Sequence, residues 1–341
     1  MTISSTTPTP VTPVPAAASH FAESVVIDPS SADGVVVRGD LSGRAWRIGR
    51  DAAVAAVLGQ VAELSDAVTA AEESVPDDTR ATWRRWNERG WRWSAPSFLA
   101  SRRVRFVDRQ SDFREAQAAE IEQYAEVAPM PLEPVDTVTH TLPAADAEPD
   151  VSVGAMLRRR HSVPNPPARR VSAAELRGIL GGALARVAAE RARPESERRA
   201  KPLTSFATAF DFYVTCYAVD DVPDGTYRVT LPDLGLALVA GGDRRAAMAR
   251  SMIGQSGPLR GAFTFTVVAD FGRQQWRYRH ERAMSLLWMD AARVASEVIW
   301  QATARSKEMQ ISPAVLDVPM LEGLGLPTDG SHQCLYNVTV S

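Results

Sequence analysis

Residues 262–270, Ala-Phe-Thr-Phe-Thr-Val-Val-Ala-Asp, are a nearly unbroken apolar run between Gly261 and Phe271-Gly272. A run of this length, rich in β-branched and aromatic side chains, predicts a strand, and its weak alternation predicts burial on both faces. Such a strand needs a layer of chain on each side. One layer follows at once: over 281–305, Met284, Leu287, Ala291, Val294, Val298 and Ala302 share a face that Ala283, Leu286 and Ala295 widen. So broad an apolar arc predicts a buried helix. The stretch between the two elements, Phe271–His280, sets a phenol beside a guanidinium at Tyr278 and Arg277. That junction is the leading candidate for chemistry.

The rest of 151–341 reads as scaffold. A short helix over 153–160 ends in three arginines and runs into His161-Ser162. Ser172 and Glu175 have the spacing of a capping box ahead of a helix over 173–190. Residues 191–202 are basic and polar and read as flexible chain. Strands are predicted at 210–218, 225–230, 236–240 and 335–340, a helix at 244–253 and a helical turn at 319–324. The sum is an α+β domain with one central antiparallel or mixed sheet and helices on both sides.

Upstream, residues 1–20 are Thr, Pro, Ala and Ser with few large apolar side chains, which predicts a disordered tail. Residues 21–108 read as a winged-helix-like module. It has strands at 24–27, 34–38 and 45–48 and helices at 50–64, 66–73 and 78–89. Gly90 stops the third helix, a strand-like wing carries Trp91 and Trp93, and a strand covers 102–108. Capture of a peptide or partner and simple packing or dimerisation are both open for this module. The third helix mixes charge signs, which argues against DNA. Residues 109–150 are a helix followed by a linker rich in Pro, Ala and Asp.

Composition narrows the classes. Basic and acidic residues nearly balance, 38 against 41, so neither nucleic acid nor an acidic membrane surface is an expected partner. Cys216 and Cys334 form no disulfide framework, Cys216 reads as a core side chain, and the five histidines lack metal-ligand spacing. No apolar run approaches the roughly 20 residues a membrane span needs, and no signal-peptide pattern opens the chain. A cytoplasmic protein without a metal is expected.

Four short motifs, in order, carry a family resemblance. Arg160-His161-Ser162 lies ten residues ahead of Ser172. Phe212-Tyr213-Val214 is followed by Asp224-Gly225-Thr226-Tyr227. Trp276-Arg277-Tyr278-Arg279 precedes Arg282-Ala283, and Met289-Asp290-Ala291 sits in the long helix. Together they resemble the nitroreductase-like FMN fold, and within it the SagB-type dehydrogenases, which oxidise azolines to azoles in ribosomal peptide maturation. The resemblance implies FMN as cofactor, held by Arg160, His161 and Ser162 and by Thr204 and Ser205 of the segment 203–207. It implies a peptide substrate and a homodimer or a heterodimer with a related dehydrogenase subunit, in which both chains build each FMN site. A cyclodehydratase is a further implied partner.

Several positions depart from that pattern. Pro164 stands where a second basic residue is usual, and Leu203–Ala207 contains no glycine. Ala292-Arg293, Ser296-Glu297 and Ser306–Met309 replace three further family motifs, and Arg277 replaces a lysine. Two readings therefore stand side by side: an FMN-dependent dehydrogenase of a modified peptide, and a catalytically inactive subunit that pairs with a catalytic paralogue or a peptide-modifying enzyme. A flavin reductase with another acceptor is a third.

Azoline oxidation removes a proton from one carbon and a hydride from its neighbour. A phenol with a pKa near 10 is a poor base, and an adjacent cation stabilises its phenolate. Tyr278 is then the expected base and Arg277 its electrostatic partner, since an arginine stays protonated and cannot shuttle the proton itself. The plainer alternatives are that Tyr278 packs at a strand end, and that the arginines before His161 merely suit a helix C-terminus.

Overall fold

The computed structural model of the chain describes most of residues 113–341, leaving out 129–130, 135, 195, 198–204 and 281, together with three strands and isolated positions between 25 and 98. The expected tail at 1–20, the helices at 50–64 and 66–73, the strand at 102–108, Trp93 and Thr204 lie outside the described residues. The chain divides into two units, 1–105 and 106–341.

In the first unit β1 (Val25–Asp28), β2 (Val35–Gly39) and β3 (Ala45–Ile48) form an antiparallel meander. Val37 pairs in register with Ile27 on one side and Trp46 on the other. Residues 81, 82, 85, 86 and 88 are helical, and Gly90 follows at φ +81°, a left-handed conformation that suits glycine at a helix stop. Trp91 is in neither a helix nor a strand, Ser94 and Phe98 are helical, and the rest of the expected wing lies outside the described residues. The Trp86 ring meets those of Trp91 and Phe98 at 5.4 and 5.1 Å.

The second unit opens with α1 (Phe113–Val127), α2 (Val153–Arg159) and α3 (Ala173–Arg191). The capping box is formed: Glu175 N–H donates to Ser172 Oγ and Ser172 N–H to Glu175 Oε2, both at 3.0 Å. After the one-turn α4 (Ser205–Thr208) come β4 (Phe210–Cys216), β5 (Gly225–Thr230) and β6 (Gly235–Gly241). Then follow α5 (Arg245–Ser251), α6 (Gly257–Arg260), β7 (Phe263–Asp270), α7 (Phe271–Arg277) and α8 (Arg282–Ala304). The chain closes with β8 (Met309–Ser312), α9 (Asp317–Gly323) and β9 (His332–Val340).

The six strands of this unit form one antiparallel sheet in the order β6-β5-β4-β7-β9-β8. The period of two in β4 and β7 sorts the layers. Phe210, Phe212, Val214, Phe263, Phe265 and Val267 point into the core shared with α3 and α8. Tyr213 and Val268 point the other way, towards Met248 of α5 and Met320 and Leu321 of α9. The sheet is thus covered on both faces, as the apolar run at β7 demands, and the fold is α+β.

Each outer edge of the sheet is met at one position by loop chain. His140 forms an antiparallel bridge to Leu236 of β6, and Ser162 a parallel bridge to Met309 of β8. Unpaired edge groups invite pairing with other chains, and a covering segment removes that invitation.

Three readings change. Arg191 is not in a flexible stretch: it ends α3 at 5% exposure, donating to Ala207 O and Phe210 O at 2.8 and 2.6 Å. Met284, assigned to the buried face of α8, is 42% exposed. The strand β8 gives no sequence signal, because it spans four residues with a polar Gln310 in the middle.

Candidate functional site

Arg277 and Tyr278 end α7, and the neighbours of α7 fix where that end points. Asp270 caps the helix, its Oδ1 accepting from Arg273 N–H at 3.1 Å. Arg273 is 1% exposed and donates to Asp270 Oδ2 at 2.9 Å and to Asp211 Oδ2 at 2.5 Å. Asp211 in turn accepts from Arg228 Nη2 at 2.6 Å, and Arg228 reaches Asp136 at 2.7 Å. On the far side, the Trp276 indole N–H donates to Ala128 O at 2.9 Å and the ring meets Tyr124 of α1 edge-on. Gln274 is buried beneath the start of α8.

Burial alone would raise the Asp211 pKa. Arg273, Arg228 and Arg191 outweigh it and hold the carboxyl below the usual aspartate range. Burial works the other way on Arg191, lowering its pKa to about 10 despite Glu133 and Asp211, so the guanidinium stays charged at neutral pH. The result is a buried cluster that ties α7 to β4, β5 and β7, with both Asp211 oxygens paired and Arg273 Nη1 left without a partner among the described residues.

Tyr278 follows as the C-cap, its N–H donating to Gln274 O at 3.0 Å. The Arg277 guanidinium carbon lies 5.2 Å from the centre of the Tyr278 ring, over its face. The contact is thus of cation–π type. His280 meets the same phenol ring edge-on at 6.2 Å. Arg279 is not merely solvated: its guanidinium lies over the Tyr124 ring at 3.8 Å.

The other expected site residues fall into two places. Arg160, His161 and Ser162 are exposed and run along the β8 edge. Ser162 Oγ accepts from Ile311 N–H at 3.3 Å, Val163 N–H donates to Met309 O at 2.9 Å, and His161 Nδ1 lies 2.7 Å from Arg159 O. This is the end of the sheet where α8 finishes. Ser205 opens α4, which packs on α3, α7 and α8 just before Phe210, and Phe210 pairs with Ala269. Ser205 therefore shares the other end with Arg277 and Tyr278. The 23 residues of α8 separate the two ends, about 34 Å at the helical rise. Within one chain, Arg160–Ser162 and Ser205 do not fit a single FMN.

Sequence reasoning missed the Asp211–Arg228–Arg273 cluster. Its signal was present: a lone acid in the apolar strand Phe210-Asp211-Phe212, and an arginine inside Gly225–Thr230. Cys216 is fully buried in the core, as expected, and Cys334 is buried too, its thiol pushed up to about 12 by desolvation. Among the described residues no group of His, Cys, Asp or Glu is placed to hold a metal. No described helix is long and apolar enough to cross a membrane.

No family model matches the chain. Among solved structures it is similar to nitroreductase-like proteins. One, assigned to the nitroreductases of Anabaena variabilis, aligns with a TM-score of 0.49 at 15% identity, covering 61% of this chain and 41% of that one. The chain thus spans about two fifths of that relative's length. Another is the Escherichia coli microcin synthetase McbBCD complex with truncated pro-MccB17 bound, with a TM-score of 0.42 and 14% identity over 71% of this chain and 85% of that one. Among curated proteins, the chain is 28% identical over 245 residues to the trifolitoxin operon protein TfxC of Rhizobium leguminosarum bv. trifolii, which covers 69% of this chain and 68% of the relative.

Proposed function

We propose that the chain is a subunit of a peptide-maturation enzyme, and that it acts there as an FMN-dependent dehydrogenase oxidising azoline rings in a ribosomally made peptide. The observation that carries this reading is the 28% identity to a trifolitoxin operon protein over 245 residues. The anchored Arg277–Tyr278 end of α7 gives it a chemical centre.

In this reading Tyr278 takes the proton from the ring carbon next to the peptide carbonyl. It does so as the phenolate, and Arg277, lying over the ring at 5.2 Å, supplies the positive charge that favours that anion until the proton neutralises it. The flavin, when bound, supplies the hydride acceptor. The separation of Arg160–Ser162 from Tyr278 is resolved by a second chain: one subunit provides the exposed Arg160, His161 and Ser162 for the phosphate, and the other provides the Tyr278 end. Met284, Trp288 and Met289, 42, 52 and 62% exposed on the first half of α8, suit that pairing. The N-terminal unit is assigned to holding the peptide.

The second reading, a subunit without its own chemistry, is favoured by one observation: 203–207 has no glycine where close backbone approach to a flavin is expected. The deciding experiment is the visible spectrum of purified protein after incubation with excess FMN and desalting, with its mass in solution measured in parallel. Retained flavin bands in a dimer support the dehydrogenase. A colourless dimer, or a chain that assembles only with a related subunit, supports the non-catalytic role.

A further inference from the structure

The sheet face opposite α8 carries a cavity of about 310 Å³ between α5 and α9, floored by Thr226 of β5. It lies apart from both groups of residues discussed above. β5 is four strand positions from β8, where Ser162 sits, about 19 Å at the usual strand spacing. Thr226 pairs with Thr215, which pairs with Thr264, near the start of β7 and away from α7.

Its lining is chemically mixed. Met248 and Met320, 6 and 1% exposed, present thioether side chains that adapt to an apolar body. Arg244 and Arg250 line the α5 side, and among the described residues neither guanidinium has a hydrogen-bond or ion-pair partner. Glu322 lines the α9 side and forms an ion pair with neither. Ser251 is 6% exposed and lines the cavity, yet its hydroxyl has no partner among the described residues, while its carbonyl accepts from Leu316 N–H at 2.7 Å. An unpaired hydroxyl beside two guanidiniums is a donor set for an anion's oxygens, and arginine matches a carboxylate in two-pronged geometry.

We propose that this cavity binds a small organic carboxylate, its oxygens held by Arg244, Arg250 and the Ser251 hydroxyl and its apolar body resting on Met248 and Met320. The same chemistry is offered by a free short-chain acid and by the carboxyl terminus of a peptide. The site stands independently of the dehydrogenase reading.

The test uses the full chain with methyl-labelled methionines and three probes: hexanoate, a short peptide ending in a free leucine carboxylate, and the same peptide amidated. Expected are saturable shifts of the Met248 and Met320 methyl resonances with at least one acid, weakened about tenfold or more in Arg250→Gln or Arg244→Gln, and reduced in Ser251→Ala. Binding of the free peptide but not its amide identifies a peptide terminus; binding of hexanoate alone identifies a free acid. No saturable shift at millimolar probe overturns the proposal. So does binding unchanged in all three variants, or inorganic phosphate producing the same shifts as tightly as hexanoate. Methyl spectra of the free variants that match the parent exclude misfolding as the cause.

Discussion

Asp211 Oδ2 accepts from Arg273 Nη2 at 2.5 Å, and that contact ties β4, in the middle of the sheet, to the helix capped by Tyr278. Asp211 is 3% and Arg273 1% exposed, so neither charge has water to fall back on. Asp211→Asn should therefore cost about 3–5 kcal/mol, the range for removing one partner of a buried ion pair. Urea unfolding of the two proteins checks this. A loss below about 1 kcal/mol would show that the cluster does not anchor α7.

Acid should undo the same cluster. Asp211 and Glu175 both titrate below their ordinary values in the folded chain. In each, burial works against the charge and is outweighed: by Arg273, Arg228 and Arg191 at Asp211, and by Lys307, the Ser172 N–H and Arg305 at Glu175. A depressed folded pKa gives stability that is complete above the unfolded value, about 4 for these groups. It is lost as pH falls through the folded value. Unfolding midpoints should stay level from these two groups between pH 5 and 8 and drop below about pH 4. In Asp211→Asn the acid drop should be shallower.

Tyr278→Phe keeps the ring under Arg277 and removes only the hydroxyl. If Tyr278 is the base, oxidation of an azoline peptide should slow by about 10²–10⁴-fold with melting unchanged. An unaltered rate in a flavin-loaded protein would take Tyr278 out of the mechanism.

Ile253 sits at φ +58° and is 57% exposed. A β-branched residue is strained in that region, while glycine is not. Little burial is at stake, so Ile253→Gly should raise stability by about 1 kcal/mol, read as a higher urea midpoint. A lower midpoint would mean the side chain contributes contacts its exposure does not suggest.

Gly225 is the reverse case. A methyl group there would meet the Ala240 carbonyl oxygen at 2.9 Å, a backbone atom that cannot swing aside. Gly225→Ala should destabilise by about 1–3 kcal/mol and loosen the β5–β6 pairing. Amide exchange at Tyr227 and Leu238 reads that directly.

The elements legible in the sequence are those whose burial pattern is set by their own residues. The apolar run of β7, the broad face of α8 and the reciprocal Ser172–Glu175 cap each carry their signal locally. The elements missed depend on partners far along the chain. β8 is a strand only because β9 pairs with it. α7 reads as a junction because its apolar side chains are few; its stability comes from Asp270, Asp211 and Ala128 around it. Arg191 looks like the first residue of a basic loop until Ala207 O and Phe210 O accept from it. The site shows the same division. Tyr278 and Arg277 could be singled out by type and adjacency, whereas the placing of Arg160–Ser162 at the opposite end of α8 follows only from β8.

The bridges made by His140 and Ser162 at the two rims of the sheet have a consequence for crowding. A six-stranded sheet with open rims is a growing surface, able to recruit strands from neighbouring copies without limit. Here each rim is occupied by a short length of the chain's own backbone. At Leu236 and Met309 a neighbouring copy would meet backbone whose hydrogen bonds are already taken.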